Sequence, residues 1–117
     1  MRLRAIRGAI QVEANTPEAI ASGVHELLPA ILKANEITSD DVISVILTCT
    51  PDLKAAFPAA FAREIGFGAV PLLCAVEMDV PGALPLVIRV LLHAEMNSSA
   101  NHIYLRGAVA LRKDLAQ

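Results

Sequence analysis

TPEAIASGVHELLPAILKAN, residues 16–35, decides the fold class. Ile20, Val24, Leu27, Leu28, Ile31 and Leu32 recur at the helical period and make one apolar stripe. Thr16 is a good N-cap residue and Pro17 suits the first helical position. Asn35 supplies a stop. Pro29 falls inside the pattern and predicts a kink, because it lacks an N–H and crowds the preceding turn. Such a helix needs an apolar surface to lie on, and strands on either side supply it.

Before the helix, RLRAIRGAIQV (2–12) reads as a strand. Arg2 and Arg4 share a face with Ile6, while Leu3, Ala5 and Arg7 share the other. Gly8 marks a bulge or a close backbone approach. After the helix, VISVILTC (42–49) is an apolar, β-branched run that predicts a strand covered on both faces. In TPDLKAAFPAAFAREIG, Thr50-Pro51 and Phe57-Pro58 look like two short helical starts, and Gly66 ends the second. AVPLLCAV (69–76) predicts a third strand, followed by the turn-rich EMDVPGALP. LVIRVLLHAE (86–95) predicts a fourth, and HIYLRGAVAL (102–111) a fifth that Gly107 is placed to interrupt. The order implies a mixed α/β or α+β domain over residues 1–117: a mixed sheet, one long helix on one face, and short helices.

Hydrophobic residues make up 55% of the 117, more apolar material than one small core absorbs, so a partner is expected, most simply a second copy. No apolar run reaches the roughly 20 residues of a membrane helix, and the N-terminus does not read as a signal peptide. Two cysteines without CxxC spacing suggest neither a disulfide framework nor a metal site, and the default is a reduced cytoplasmic protein. A net charge of −2 with few aromatics gives no reason to propose nucleic acid.

Arg89 is the most informative position. It sits in an apolar run, where a buried guanidinium without an anion is costly. Either it snorkels at a strand edge or it faces a cavity that receives an anion. Glu77 directly follows an apolar strand and is placed to orient it. Cys74 and Tyr104 read as core or gap fillers on their own. His25, His93 and His102 show neither metal spacing nor a nucleophile partner and read as structural. Glycine-rich phosphate loop, GxSxG and HExxH are all missing from the sequence. Several arginines with one Glu, one Tyr and one Cys near strand ends suit a small polyanion better than acid–base or covalent chemistry.

The segments RAIRGA (4–9), TPDLKAAFPAAFARE (50–64), CAVEMDVPGAL (74–84), IRV (88–90) and HIYLRGAVALRKDL (102–115), in this order and spacing, resemble the monofunctional, trimeric α/β-type chorismate mutases. The resemblance implies a homotrimeric pseudo-barrel with sites in clefts between subunits, chorismate as substrate, prephenate as product, and no cofactor or metal. It implies that Arg7, Arg89 and Tyr104 bind substrate, that Glu77 and Cys74 contact its ring hydroxyl, and that Phe57 lines the pocket. Arg89 and Glu77 take the catalytic roles. Ala59, Arg63, Leu72, Leu73, Ala75, Val76, Leu111 and Arg112 belong around the substrate. Two departures stand out: Ala60, where a family member can carry Lys, and Leu73 in place of a small polar residue. Relatives can also carry a longer polar tail near the cleft, so any lid here is expected to be short. A trimeric imine or enamine deaminase on a related architecture, a non-catalytic metabolite-binding trimer and a purely structural assembly are the competing readings. A degenerate, non-catalytic copy would have lost Arg89 or Glu77, and both are present.

Overall fold

The computed structural model describes residues 1–112. Strand β1 (Arg2–Gln11) leads into helix α1 (Pro17–Ala34), then a 3₁₀ turn (Ser39–Asp41) and strand β2 (Val42–Cys49). Helix α2 (Pro58–Ala62) continues into a turn over Arg63–Phe67, where Gly66 takes a φ of 103°. Strands β3 (Leu72–Val76), β4 (Val87–Met96) and β5 (Ile103–Leu105) follow, and a 3₁₀ segment (Arg106–Leu111) closes the described chain. The sheet order is β3-β2-β4-β1-β5. β4 runs antiparallel to both its neighbours, whereas the outer pairs β2–β3 and β1–β5 are parallel. This is the mixed sheet with a long helix that the sequence predicts.

Local chemistry explains the helix ends. The Thr16 hydroxyl accepts the Ala19 N–H at 3.1 Å. At the other end Asn35, buried, donates through Nδ2 to the Ile31 carbonyl and to the Asn101 carbonyl, and accepts the Asn101 N–H at 2.7 Å. Asn35 therefore ends the helix and ties it to the segment before β5. α1 runs unbroken from 17 to 34, with Pro29 on its exposed face.

The stripe on α1 packs on one sheet face: Ile20, Val24, Leu27, Leu28 and Ile31 join Ile6, Ile10, Val45, Leu47, Ile88 and Leu92, all at or near zero exposure. Each such side chain contributes about 1.5–3 kcal/mol on burial. Gly8 lets the helix sit this close. A Cβ there would stand 2.7 Å from Ile31 Cδ1 and 3.2 Å from the Ile103 carbonyl oxygen.

Four local expectations change. The fifth strand is only three residues long, because Arg106 adopts a φ of 53° and turns the chain into the 3₁₀ segment. Thr50-Pro51 opens a turn and not a helix; the Thr50 hydroxyl bonds the Asp52 carboxylate, which also accepts the Leu86 N–H. The third strand begins at Leu72, after Pro71. Finally, β2 is covered within this chain on one face only. Val45, Leu47 and Cys49 are buried, while Ser44, Ile46 and Thr48 on the other face are half-buried. That second face carries Leu3, Ala5 and Arg7 from β1, and Arg89, Leu91 and His93 from β4.

Candidate active site

Strand register assembles the site on the open sheet face. Thr48 stands opposite Arg89 across β2–β4, Ala9 opposite Arg89 across β1–β4, and Tyr104 beside Ala9 across β1–β5. The alternation of strand side chains puts Arg7, Arg89, Thr48 and Tyr104 on one face. They line a cleft of about 270 Å³ together with Arg112. Arg89 is not buried as its apolar neighbours suggest: its side chain is 46% exposed, because the run VIRVLL alternates between the core and the open face. A guanidinium in that position escapes the cost of full burial and stays available to an anion.

Glu77 follows β3 and reaches across to β4. Its backbone N–H donates to the Cys49 carbonyl at 2.9 Å. Its Oε1 lies 3.1 Å from Arg89 Nε, and its Oε2 accepts the Thr48 hydroxyl at 2.6 Å. The ion pair runs through Nε of the guanidinium. Arg89 separates this cleft from a smaller one of about 130 Å³ that Glu77 also lines.

Other expected site residues stand elsewhere in the same chain. Phe57, 75% exposed, lines a cavity of about 470 Å³ with Cys74, Ala75 and Val76. Ala59 is buried in α2, and Ala60 beside it is half-buried. Arg63 is exposed on the turn after α2. Leu72 packs against the main core, whereas Leu73 points outward at 62% exposure. Leu111 packs on a small cluster of Ala9, Val87, Tyr104 and Ala108. The chain thus holds two groups, one around Arg7, Arg89 and Tyr104, the other around Phe57. Lys113, Asp114 and any short lid lie outside the described residues.

Thr48 is the residue that sequence reasoning missed. In VISVILTC it looks like β-branched strand filler, and only the register with Arg89 exposes its hydroxyl as a ligand to Glu77. Cys49 is no nucleophile: burial first, then the nearby Cys74, Glu77 and Asp52, push its thiol up to about 12, so it stays protonated at neutral pH. Among the described residues no group of three or more His, Cys, Asp or Glu could hold a metal ion, and no helix is long and apolar enough to cross a membrane.

The family model for chorismate mutase type I matches residues 3–115. The chain belongs to the type I chorismate mutases. The chorismate mutase AroH of Thermus thermophilus is 52% identical over 117 residues, covering 97% of this chain and 96% of that one. The chorismate mutase AroH of Bacillus subtilis (strain 168) is 41% identical over 120 residues, with 99% and 94% covered. A solved chorismate mutase from Clostridium thermocellum superposes with a TM-score of 0.88 at 42% identity, covering 91% of this chain and 97% of that structure. None of these relatives is a deaminase.

His102 supports this candidate site from behind. Its Nδ1 accepts the Arg7 N–H at 3.0 Å, which requires the neutral ring. Burial, then the charges of Arg7 and Arg112, lower its pKa below the usual 6.5. The unfolded chain therefore takes up this proton at a higher pH than the folded one. Stability contributed by His102 is present above about 6.5 and is lost as pH falls toward the folded value. Urea unfolding at pH 7.5 and pH 5.5 should show a larger acid loss for wild type than for His102→Gln. Equal losses would remove His102 from the account.

Proposed function

We propose that this chain is a chorismate mutase that rearranges chorismate to prephenate in aromatic amino acid biosynthesis, as a single domain over residues 1–117. It works in the cytoplasm as a homotrimer with sites between copies. The observation that carries the reading is the convergence of Arg7, Arg89, Arg112 and Tyr104 on one cleft, with Glu77 and Thr48 bracing Arg89.

Those residues suit this reaction. The rearrangement is unimolecular and needs no proton transfer, covalent intermediate, cofactor or metal: one ether C–O bond breaks and one C–C bond forms within the same molecule. The substrate carries two carboxylates, and the protein must fold its side chain over the ring in a reactive conformer. Arg7 and Tyr104 hold carboxylate and side-chain groups. Arg89 faces the ether oxygen, where negative charge grows as the C–O bond lengthens. A fixed guanidinium there stabilises the transition state more than the ground state. Glu77 accepts from the ring hydroxyl alongside Cys74, and Arg63 and Arg112 add positive potential at the mouth.

The two separated groups fit sites shared between copies. The Phe57 group, with Cys74, Ala75 and Val76, supplies an apolar wall, and Leu111 backs Tyr104. In a trimer the Phe57 group of one copy closes over the arginine cleft of the next. With Ala60 and Leu73 in place of polar residues, that wall offers the substrate backbone groups and apolar surface.

The test is the loss of chorismate's ultraviolet absorbance with purified protein, prephenate being identified as product. The expected pH profile of kcat is a broad plateau around neutrality, since no group must gain or lose a proton in the reaction. A folded trimer that leaves chorismate unchanged would overturn the mutase reading in favour of a metabolite-binding protein. A narrow bell from two titrating groups would overturn the mechanism.

A further inference from the structure

We infer that Thr48 is a positioning residue for catalysis, acting on Arg89 through Glu77; the inference rests on the mutase reading above. The arginine that must meet the developing charge is half exposed on an uncovered sheet face, at the end of a long side chain. Nothing in its own strand fixes its head group. What fixes it is Glu77 Oε1 at 3.1 Å from Nε.

A carboxylate can turn about its last bond, so this contact holds Arg89 only if the other oxygen is also held. Thr48 holds it, donating to Oε2 at 2.6 Å. The short distance is that of a hydroxyl on an ionised acceptor, the stronger class of hydrogen bond. The three residues form a closed brace. Thr48 and Arg89 are directly opposite across β2–β4, and Glu77 spans both. The backbone of Glu77 is pinned at the same level by the Cys49 carbonyl, next to Thr48 in the chain.

The hydroxyl has a second consequence. By occupying Oε2 it leaves Oε1 to meet Arg89 at Nε. The guanidinium is thereby held in place for the substrate oxygen. With the hydroxyl gone, Glu77 is free to rotate and to draw the guanidinium with it. The ground-state complex would still form through Arg7 and Tyr104, whereas the charge on the ether oxygen would be met less well. The loss belongs in kcat more than in KM.

Thr48→Val keeps the β-branched shape and deletes only the donor; Thr48→Ser keeps the donor. Steady-state kinetics on chorismate, with melting temperature and oligomer mass as controls, should show kcat about tenfold lower in Thr48→Val, the scale of one hydrogen bond to a charged group. KM should move less than about threefold, and Thr48→Ser should recover to within about threefold of wild type. The discriminating measurement is the double variant. On a Glu77→Ala background, Thr48→Val should cost less than about twofold, because its route to Arg89 is already gone. A full tenfold cost on that background, a failure of Thr48→Ser to recover, or full activity in Thr48→Val would each overturn the role. If wild type itself leaves chorismate unchanged, the mutase reading falls and takes this role with it. An active wild type beside an unaffected Thr48→Val sinks the role alone.

Discussion

Arg89→Ala lowers kcat for chorismate by two to three orders of magnitude, a loss of about 3–4 kcal/mol of transition-state stabilisation. The expectation follows from where the guanidinium stands. It lines the cleft that Arg7, Tyr104 and Arg112 also line, and its Nε is committed to Glu77. On the proposed reading, this guanidinium meets charge that appears only as the ether bond lengthens. Arg89→Lys should be nearly as damaging. One ammonium cannot pair with Glu77 and also present a planar fork to an oxyanion. The fold should tolerate either change. The side chain is 46% exposed, and a half-exposed ion pair contributes at most about 1 kcal/mol to stability. Kinetics and thermal melting on the same preparations separate the two effects. Near-wild-type turnover in Arg89→Lys would remove Arg89 from the transition state.

Much of this arrangement was legible in the sequence, for physical reasons that differ between elements. α1 announces itself through a stripe at the helical period and a Thr-Pro start, and the structure places both ends within a residue of that reading. Four strands are visible as alternating or apolar runs. The fifth fails because HIYLRGAVAL has strand-like composition throughout, while the positive φ at Arg106 ends the strand after three residues. Gly107 hints at an interruption, but propensity does not place the turn at Arg106. The second face of β2 is also left uncovered by this chain. An apolar run looks the same whether its second face meets a helix, another copy or solvent. At the candidate site, Arg89 and Glu77 stood out as charges beside apolar strands, and the structure pairs them. Thr48 did not, because its significance depends on a residue 41 positions away that only strand register brings opposite.

Ala5→Glu should convert the proposed trimer to monomers and reduce turnover at least about a hundredfold, although Ala5 lines neither the Arg7 cleft nor the Phe57 cavity. The sheet has one face under α1 and one bare. On the bare face Leu3, Ala5, Ile46, Leu73 and Leu91 make an apolar field around Arg7 and Arg89, with Leu3 and Leu73 more than 60% exposed. Sheets whose apolar face is uncovered acquire cover, and the simplest cover is the same face of another copy. A carboxylate at position 5 would then be buried once in every subunit and would be costly there. Within one chain it would cost little. Ala5 is exposed and His93 stands opposite it across β1–β4, so the monomer should keep its fold to within about 0.5 kcal/mol. Molar mass by light scattering, far-ultraviolet circular dichroism and kcat/KM on one sample decide the matter. A folded, inactive monomer is the result that joins the Phe57 group of one copy to the arginine cleft of another. A folded monomer with full turnover would mean that one chain holds a complete site, and an active trimer would mean that the subunits meet through some other face.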